Sequence, residues 1–296
     1  SAGPTPGFPS SVCSTDGPPQ VRHLAHTPQQ PATGEVVTIS ALITDPDGVA
    51  SASLEYQLVR PGGYIRLIDA NYNRGWVTVA MNDEGIEGDA NAGDNTWSGQ
   101  VPATIQRHRS LVRYRLIIED ALGNSVQLPY ADDLQPNFAY YCYDGVPAWR
   151  GALRTGSPQV IYSSETLSKV PVYHMIASQT DVLGCMYTDS VGTARTYRYY
   201  ATVVYDGVVY DHIKFRIKGQ ASTRVTGKNK IKWNFNRGHR FQARDNYGRK
   251  YAREWDKFAL QTGTCPCRGS NASTAGSALH EQGAYKTYRL LGLQSC

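Results

Sequence analysis

Two short alternating runs, inside the stretch from Asp211 to Asp256, constrain the fold of this chain most tightly. Ile213, Phe215 and Ile217 alternate with Lys214, Arg216 and Lys218; Ile231, Trp233 and Phe235 alternate with Lys230, Lys232 and Asn234. A period of two reads as a half-buried β-strand with one apolar and one polar face. Between the runs lies a polar loop, 219–229, with a glycine near each end. If the strands pair as a hairpin, five cations share one face: Lys214, Arg216, Lys218, Lys230 and Lys232. Like charges opposed across a sheet repel. Such a face calls for a bound anion, a carboxylate partner, or cations splayed into solvent. Composition sharpens the point. From His212 to Lys257 there are 14 Lys and Arg against three acids, a balance of +11, whereas the remaining 16 bases and 22 acids balance at −6. A concentrated basic segment in an otherwise acidic chain marks an anion partner better than net charge does.

Upstream, apolar runs bounded by turn signals recur at 36–43, 53–59, 76–81 and 111–118, with Asp45-Pro-Asp-Gly48 and Pro61-Gly-Gly63 among the turns. No helical period intervenes, which argues for an antiparallel β-sandwich of the immunoglobulin or fibronectin type. The fold class expected is therefore mainly β, a β-sandwich followed by an α+β domain. The boundaries read as a Pro/Gly/Ser-rich linker over 1–35, the sandwich over 36–136, a connector over 137–167 and the second domain over 168–296. In that last part, 170–176 and 197–205 read as strands, and Asp206-Gly207 as a tight turn before 208–210. A short helix is expected over 164–169. The chain has no initiator Met and stops directly after a helix-like segment. It reads as a fragment of a larger protein.

Within the sandwich, residues 82–95 carry six or more Asp, Glu and Asn side chains. Asp83, Asp89 and Asp94 are the candidate ligands for a hard cation such as Ca²⁺, which prefers oxygen donors, although the spacing is not that of an EF-hand. The competing reading is a long Gly-rich connection whose Asx side chains hold its own turns. Six cysteines are too scattered for a small disulfide scaffold, and Cys265-Pro-Cys267 lacks a second pair at zinc spacing. Their even number, with 20 Tyr against 6 Phe, suits an exported protein with some disulfides. No apolar run is long enough to span a membrane. Near the C-terminus, Ser277 suits a helix N-cap and 278–291 a helix. Its stripe of Ala284, Tyr288 and Leu291 includes Glu281, which either meets cations at a core or complements the helix dipole at solvent.

These residues carry a family resemblance. His174, the run Tyr205-Asp-Gly-Val-Val-Tyr-Asp-His-Ile213, Arg216 to Ala221, and 227–241 followed by Gln242-Ala-Arg-Asp-Asn-Tyr-Gly-Arg-Lys-Tyr251 resemble the N-terminal part of the CotH (spore-coat protein H) kinase family. The resemblance covers about 168–294, and the preceding sandwich is similar to modules of large exported bacterial proteins. It implies a truncated atypical kinase N-lobe from a parent Ser/Thr protein kinase that uses ATP and Mg²⁺. It implies Lys218, Lys228, Lys230 and Lys232 as phosphate contacts with backbone donors near Gly219, and Glu281 as the helix carboxylate that orients a lysine. Phosphoryl transfer also needs metal-binding carboxylates and usually a base. In the family those aspartates lie farther downstream, so no catalytic residue is assigned and the chain alone is expected to be inactive. The location implied is extracellular or at a bacterial cell surface. A competing reading is an extracellular structural, adhesive or filament-forming protein that self-associates or binds other extracellular proteins. Nucleic acid is the weakest partner reading, because Trp233, Phe235 and Phe241 fall on the apolar side of their strand.

Overall fold

The computed structural model describes residues 17–152, 156, 158–169, 171–187, 195–218, 230–245 and 247–260. They form two compact units, the first running to Tyr173 and including Val204–Val209, the second comprising His174–Val203 and the residues from Tyr210 onward.

The first unit is an antiparallel β-sandwich. One sheet orders β1 (Gln20–Thr27), β2 (Val37–Thr44) and β5 (Thr96–Val101) as β1-β2-β5. The other orders β4 (Trp76–Ala80), β3 (Val49–Val59), β6 (Leu111–Asp120) and β7 (Ser125–Leu128) as β4-β3-β6-β7, and β8 (Phe138–Tyr141) also pairs with β6. Alternation decides what goes inside. Along β2, Val37, Ile39, Ala41 and Ile43 are fully buried while the residues between them are half-exposed. They pack against Leu54 and Tyr56 of β3, Tyr114, Leu116 and Ile118 of β6, and Tyr140 of β8.

Two expected boundaries move. Gln20–Thr27, assigned to the linker by composition, is a strand of the sandwich; its register with β2 shifts between Arg22 and Ala25, where His23 sits at φ 51°, so a bulge breaks the alternation that would have revealed it. The sandwich also does not end near Pro136. Tyr140 and Tyr141 are buried in β8, and Cys142 exchanges backbone hydrogen bonds with Ser110 and Arg109. The supposed connector then holds a two-stranded sheet of β9 (Trp149–Ala152) and β10 (Gln159–Tyr162) and the expected short helix, α1 (Ser164–Leu167), capped by Ser163.

His26 is an unusual core neighbour. Its Nδ1 lies 3.0 Å from Tyr114 Oη and its Nε2 3.2 Å from the Gln29 carbonyl, with Tyr140 5.5 Å away ring to ring. Burial depresses its pKa below the ordinary 6.5, more than the Gln29 bond raises it. The unfolded chain therefore binds a proton near pH 6.5 that the folded chain resists, and stability falls as pH drops through that value, levelling off below the folded pKa. In urea titrations at pH 7.5, 6.5 and 5.5, His26→Gln is expected to lose less stability across this range than the parent. An unchanged pH slope contradicts this.

The second unit is built on a sheet ordered β11 (Tyr173–Ala177), β12 (Tyr199–Tyr205), β13 (Val208–Lys218), β14 (Lys230–Asn234) and β15 (Lys257–Ala259). Asp206 and Gly207 join β12 to β13 with positive φ at both positions (53° and 74°), as a two-residue hairpin turn requires. One face buries Ile213, Phe215, Ile217 and Trp233, continuing into Phe235 and Phe241. Helix α2 (Gln179–Met186), capped by Ser178 Oγ on the Asp181 N–H, had no counterpart in the sequence reading.

Among the described residues no helix is long and apolar enough to cross a membrane. Cys142 and Cys185 are free and buried, burial pushing both thiols up to about 11; the other four cysteines lie outside the described residues.

Candidate functional site

The basic face assembles as the alternation implies. Strand β13 pairs with β14 so that Arg216 opposes Lys232, Lys218 opposes Lys230, and Lys214 opposes Asn234. Directly opposed residues share a face, so the five cations form a ladder behind which Phe215, Ile217 and Trp233 are buried and Ile231 is half-buried. Strand β15 extends the ladder, because Lys257 opposes Asn234. Lys257 is neutralised locally: its Nζ lies 2.9 Å from Asp256 Oδ2, and that bond raises its pKa.

Tyr197, just before β12, and Tyr200, within it, lie against two of these cations. The Arg216 guanidinium lies 4.9 Å from the Tyr197 ring centroid, and Lys214 Nζ 5.7 Å from that of Tyr200. Arg216 donates one bond to its neighbour's carbonyl, Ile217 O, at 3.1 Å. Its Nε is buried and takes no partner among the described residues, and the same holds for Tyr197 Oη. Two buried donors without acceptors, set in a ladder of cations, are what an anion would satisfy. No carboxylate among the described residues forms an ion pair with Lys214, Arg216, Lys230 or Lys232.

A buried polar cluster anchors the start of this strand. Asp211 accepts from Thr202 Oγ1 and from the His212 N–H, while His212 Nε2 lies 3.4 Å from its other oxygen. Asn236 donates to the carbonyls of both Asp211 and His212, tying β13 to the turn after β14. Asp245 holds its own loop, accepting from the Tyr247 and Arg249 N–H groups and from Arg249 Nε.

Of the residues the sequence proposed for phosphate contact, the structure brings together Lys218, Lys230 and Lys232. Gly219, Lys228 and Glu281 lie outside the described residues, as does the helix expected over 278–291. Tyr197 and Lys257 were not anticipated. Lys257 opens a strand of only three residues, too short to show a period, and Tyr197 precedes its strand.

No family model matches this chain, and no curated protein matches it.

The second cluster lies in the sandwich, in the connection between β4 and β5. Asp83, Asp89 and Asp94 each place a carboxylate oxygen within 4.8 Å of the others. The loop is pinned at its base by the paired backbone bonds of Asn82 with Ser98. It lies so close to the sheet that a Cβ on Gly88 (φ 98°) would meet Thr38 Cγ2 at 2.8 Å. Asp83 holds the turn: its Oδ1 accepts from the N–H groups of Gly93 and Asp94, and its Oδ2 from that of Asn95. Asp94 Oδ1 accepts from the Thr96 N–H at 2.7 Å, a bond that keeps its carboxyl below the usual range. Asp89 is 7% exposed; its Oδ2 accepts from Gly85 N, and its Oδ1 is buried without a partner among the described residues.

Proposed function

We propose that the second unit binds a phosphorylated anion on the face formed by β13 and β14, as the phosphate-holding portion of a CotH-type kinase domain. The observation that carries this reading is the opposition of Arg216 to Lys232 and Lys218 to Lys230, beside the unsatisfied buried Nε of Arg216. Arg216 and Lys232 oppose each other with no carboxylate among the described residues ion-paired to either, and such a like-charge pair costs stability unless an anion lies between its members. Arginine offers a fork for a planar oxyanion and lysine a point charge, a pairing suited to a polyphosphate. The resemblance to the CotH family supports a nucleoside triphosphate as the ligand.

Thermal unfolding of the whole chain with ATP or inorganic tripolyphosphate tests this. Both ligands are expected to raise the unfolding midpoint saturably. Lys230→Ala and Lys232→Ala should each weaken binding about tenfold, the scale of a lost charge-assisted bond. Without ligand, each should leave stability unchanged or raise it by about 0.2–1 kcal/mol, as an opposed like charge is removed. No shift with either anion, or a full shift in both variants, contradicts the proposal. Concentration-dependent assembly insensitive to nucleotide would instead favour the structural, adhesive reading.

A further inference from the structure

The three carboxylates of the 82–95 loop pose a problem that the loop itself does not solve. Their oxygens lie within 4.8 Å of one another, so their charges repel. No lysine, arginine or histidine among the described residues forms an ion pair with any of them. A buried carboxylate oxygen needs a donor or a cation, and Asp89 Oδ1 has neither among the described residues. Turn formation accounts for Asp83 and for Asp94 Oδ1, whose bonds go to backbone N–H groups, but not for this oxygen. The two roles are also compatible, because each carboxylate oxygen has a second lone pair.

We propose that Asp83, Asp89 and Asp94 form a calcium site. Two oxygens that share a Ca²⁺ at 2.3–2.6 Å lie no more than about 4.6–5.2 Å apart, and the trio meets that limit. The donors are all hard oxygens, which excludes a soft-metal preference. They sit on an irregular, glycine-bent loop with positive φ at Gly85, Glu87, Gly88, Gly93 and Asn95. Calcium tolerates such irregular geometry, whereas magnesium demands a near-ideal octahedron. The loop is held at both ends by β4 and β5, so the ligands are positioned before the ion arrives. The site belongs to the first unit and stands independently of anion binding by the second.

The whole chain, treated with EDTA and desalted, is titrated calorimetrically with CaCl₂ and separately with MgCl₂, and melted with and without each. Calcium is expected to bind saturably and raise the unfolding midpoint, with magnesium at least tenfold weaker. Asp89→Asn should abolish the calcium-dependent rise while melting in EDTA at or above the parent, because it removes a repelling charge. Asp94→Asn, which keeps an acceptor for the Thr96 N–H, should lose at least tenfold in calcium affinity. Glu84→Gln, an exposed carboxylate outside the trio, should bind calcium as the parent does. No calcium response in the parent, or a full response in both aspartate variants, overturns the proposal.

Discussion

Replacing Arg113 with alanine is expected to cost the first unit about 3–5 kcal/mol, as for other large side chains removed from an interior. Arg113 is fully buried on the face of β6 turned away from the sandwich core. Its guanidinium donates to Gln57 Oε1 at 3.2 Å and sits 5.6 Å from the rings of both Tyr64 and Tyr72. Gln57 in turn donates to the carbonyls of Tyr72 and Arg74, and Tyr72 donates its hydroxyl to buried Asn137. This network lays the segment from Tyr64 to Arg74 over the outer face of the sheet. Alanine would open a cavity and leave Gln57 Oε1 without that donor, so packing and polar losses add. Arg113→Met, which refills the volume, should recover part of the loss. Urea unfolding measures both, and a cost below about 1 kcal/mol for the alanine variant contradicts the role assigned to this network.

Trp233→Ala should damage the second unit to a similar extent, about 3–5 kcal/mol. The indole is 1% exposed, opposes Phe215 on one side and Phe258 on the other, and donates Nε1–H to Met175 Sδ at 3.2 Å. It packs edge-on to Phe235 and 5.7 Å from Phe258, within a run of aromatic contacts that continues to Phe241 and Trp255. Removing it loosens the strand that presents Lys230 and Lys232, so anion binding should fall with stability. Because the chain has two units, unfolding must be followed by probes specific to each. The expected result is an early second-unit transition with the first unit unchanged; an unaltered second-unit transition contradicts it.

How much of this was legible in the sequence varies with the physics of each element. The basic hairpin was readable because one face is apolar at every second residue, and a slip of one residue would bury the lysines. Strand β2 was readable for the same reason. Strand β1 was not, since its bulge interrupts the period, and the closing strand β8 hid inside a Tyr-rich run that reads as a connector. Arg113 and Arg115 both look solvent-facing in the alternation of Leu-Val-Arg-Tyr-Arg-Leu. In the structure Arg115 meets Glu55 at 2.7 Å and stacks on Trp76, and Arg113 is buried, because a separate segment covers that face. Local periodicity says which side of a strand is polar, not whether something distant will cover it. The acidic loop showed its ligand types but not its geometry. The turn-holding reading holds for Asp83, whose carboxylate accepts from backbone N–H groups, whereas Asp89 has one buried oxygen without a partner among the described residues, which the sequence pattern could not show.

Calorimetric titration of inorganic tripolyphosphate into the whole chain at low ionic strength tests the anion-binding account most directly, because it isolates phosphate recognition from any contribution of a nucleoside. The account predicts one-to-one binding that weakens as salt screens the cation ladder, and that is lost when Arg216→Gln and Lys232→Ala are combined in a chain whose circular dichroism is unchanged. Absence of binding to the unmodified chain at low salt, or equal binding by that double variant, would contradict it.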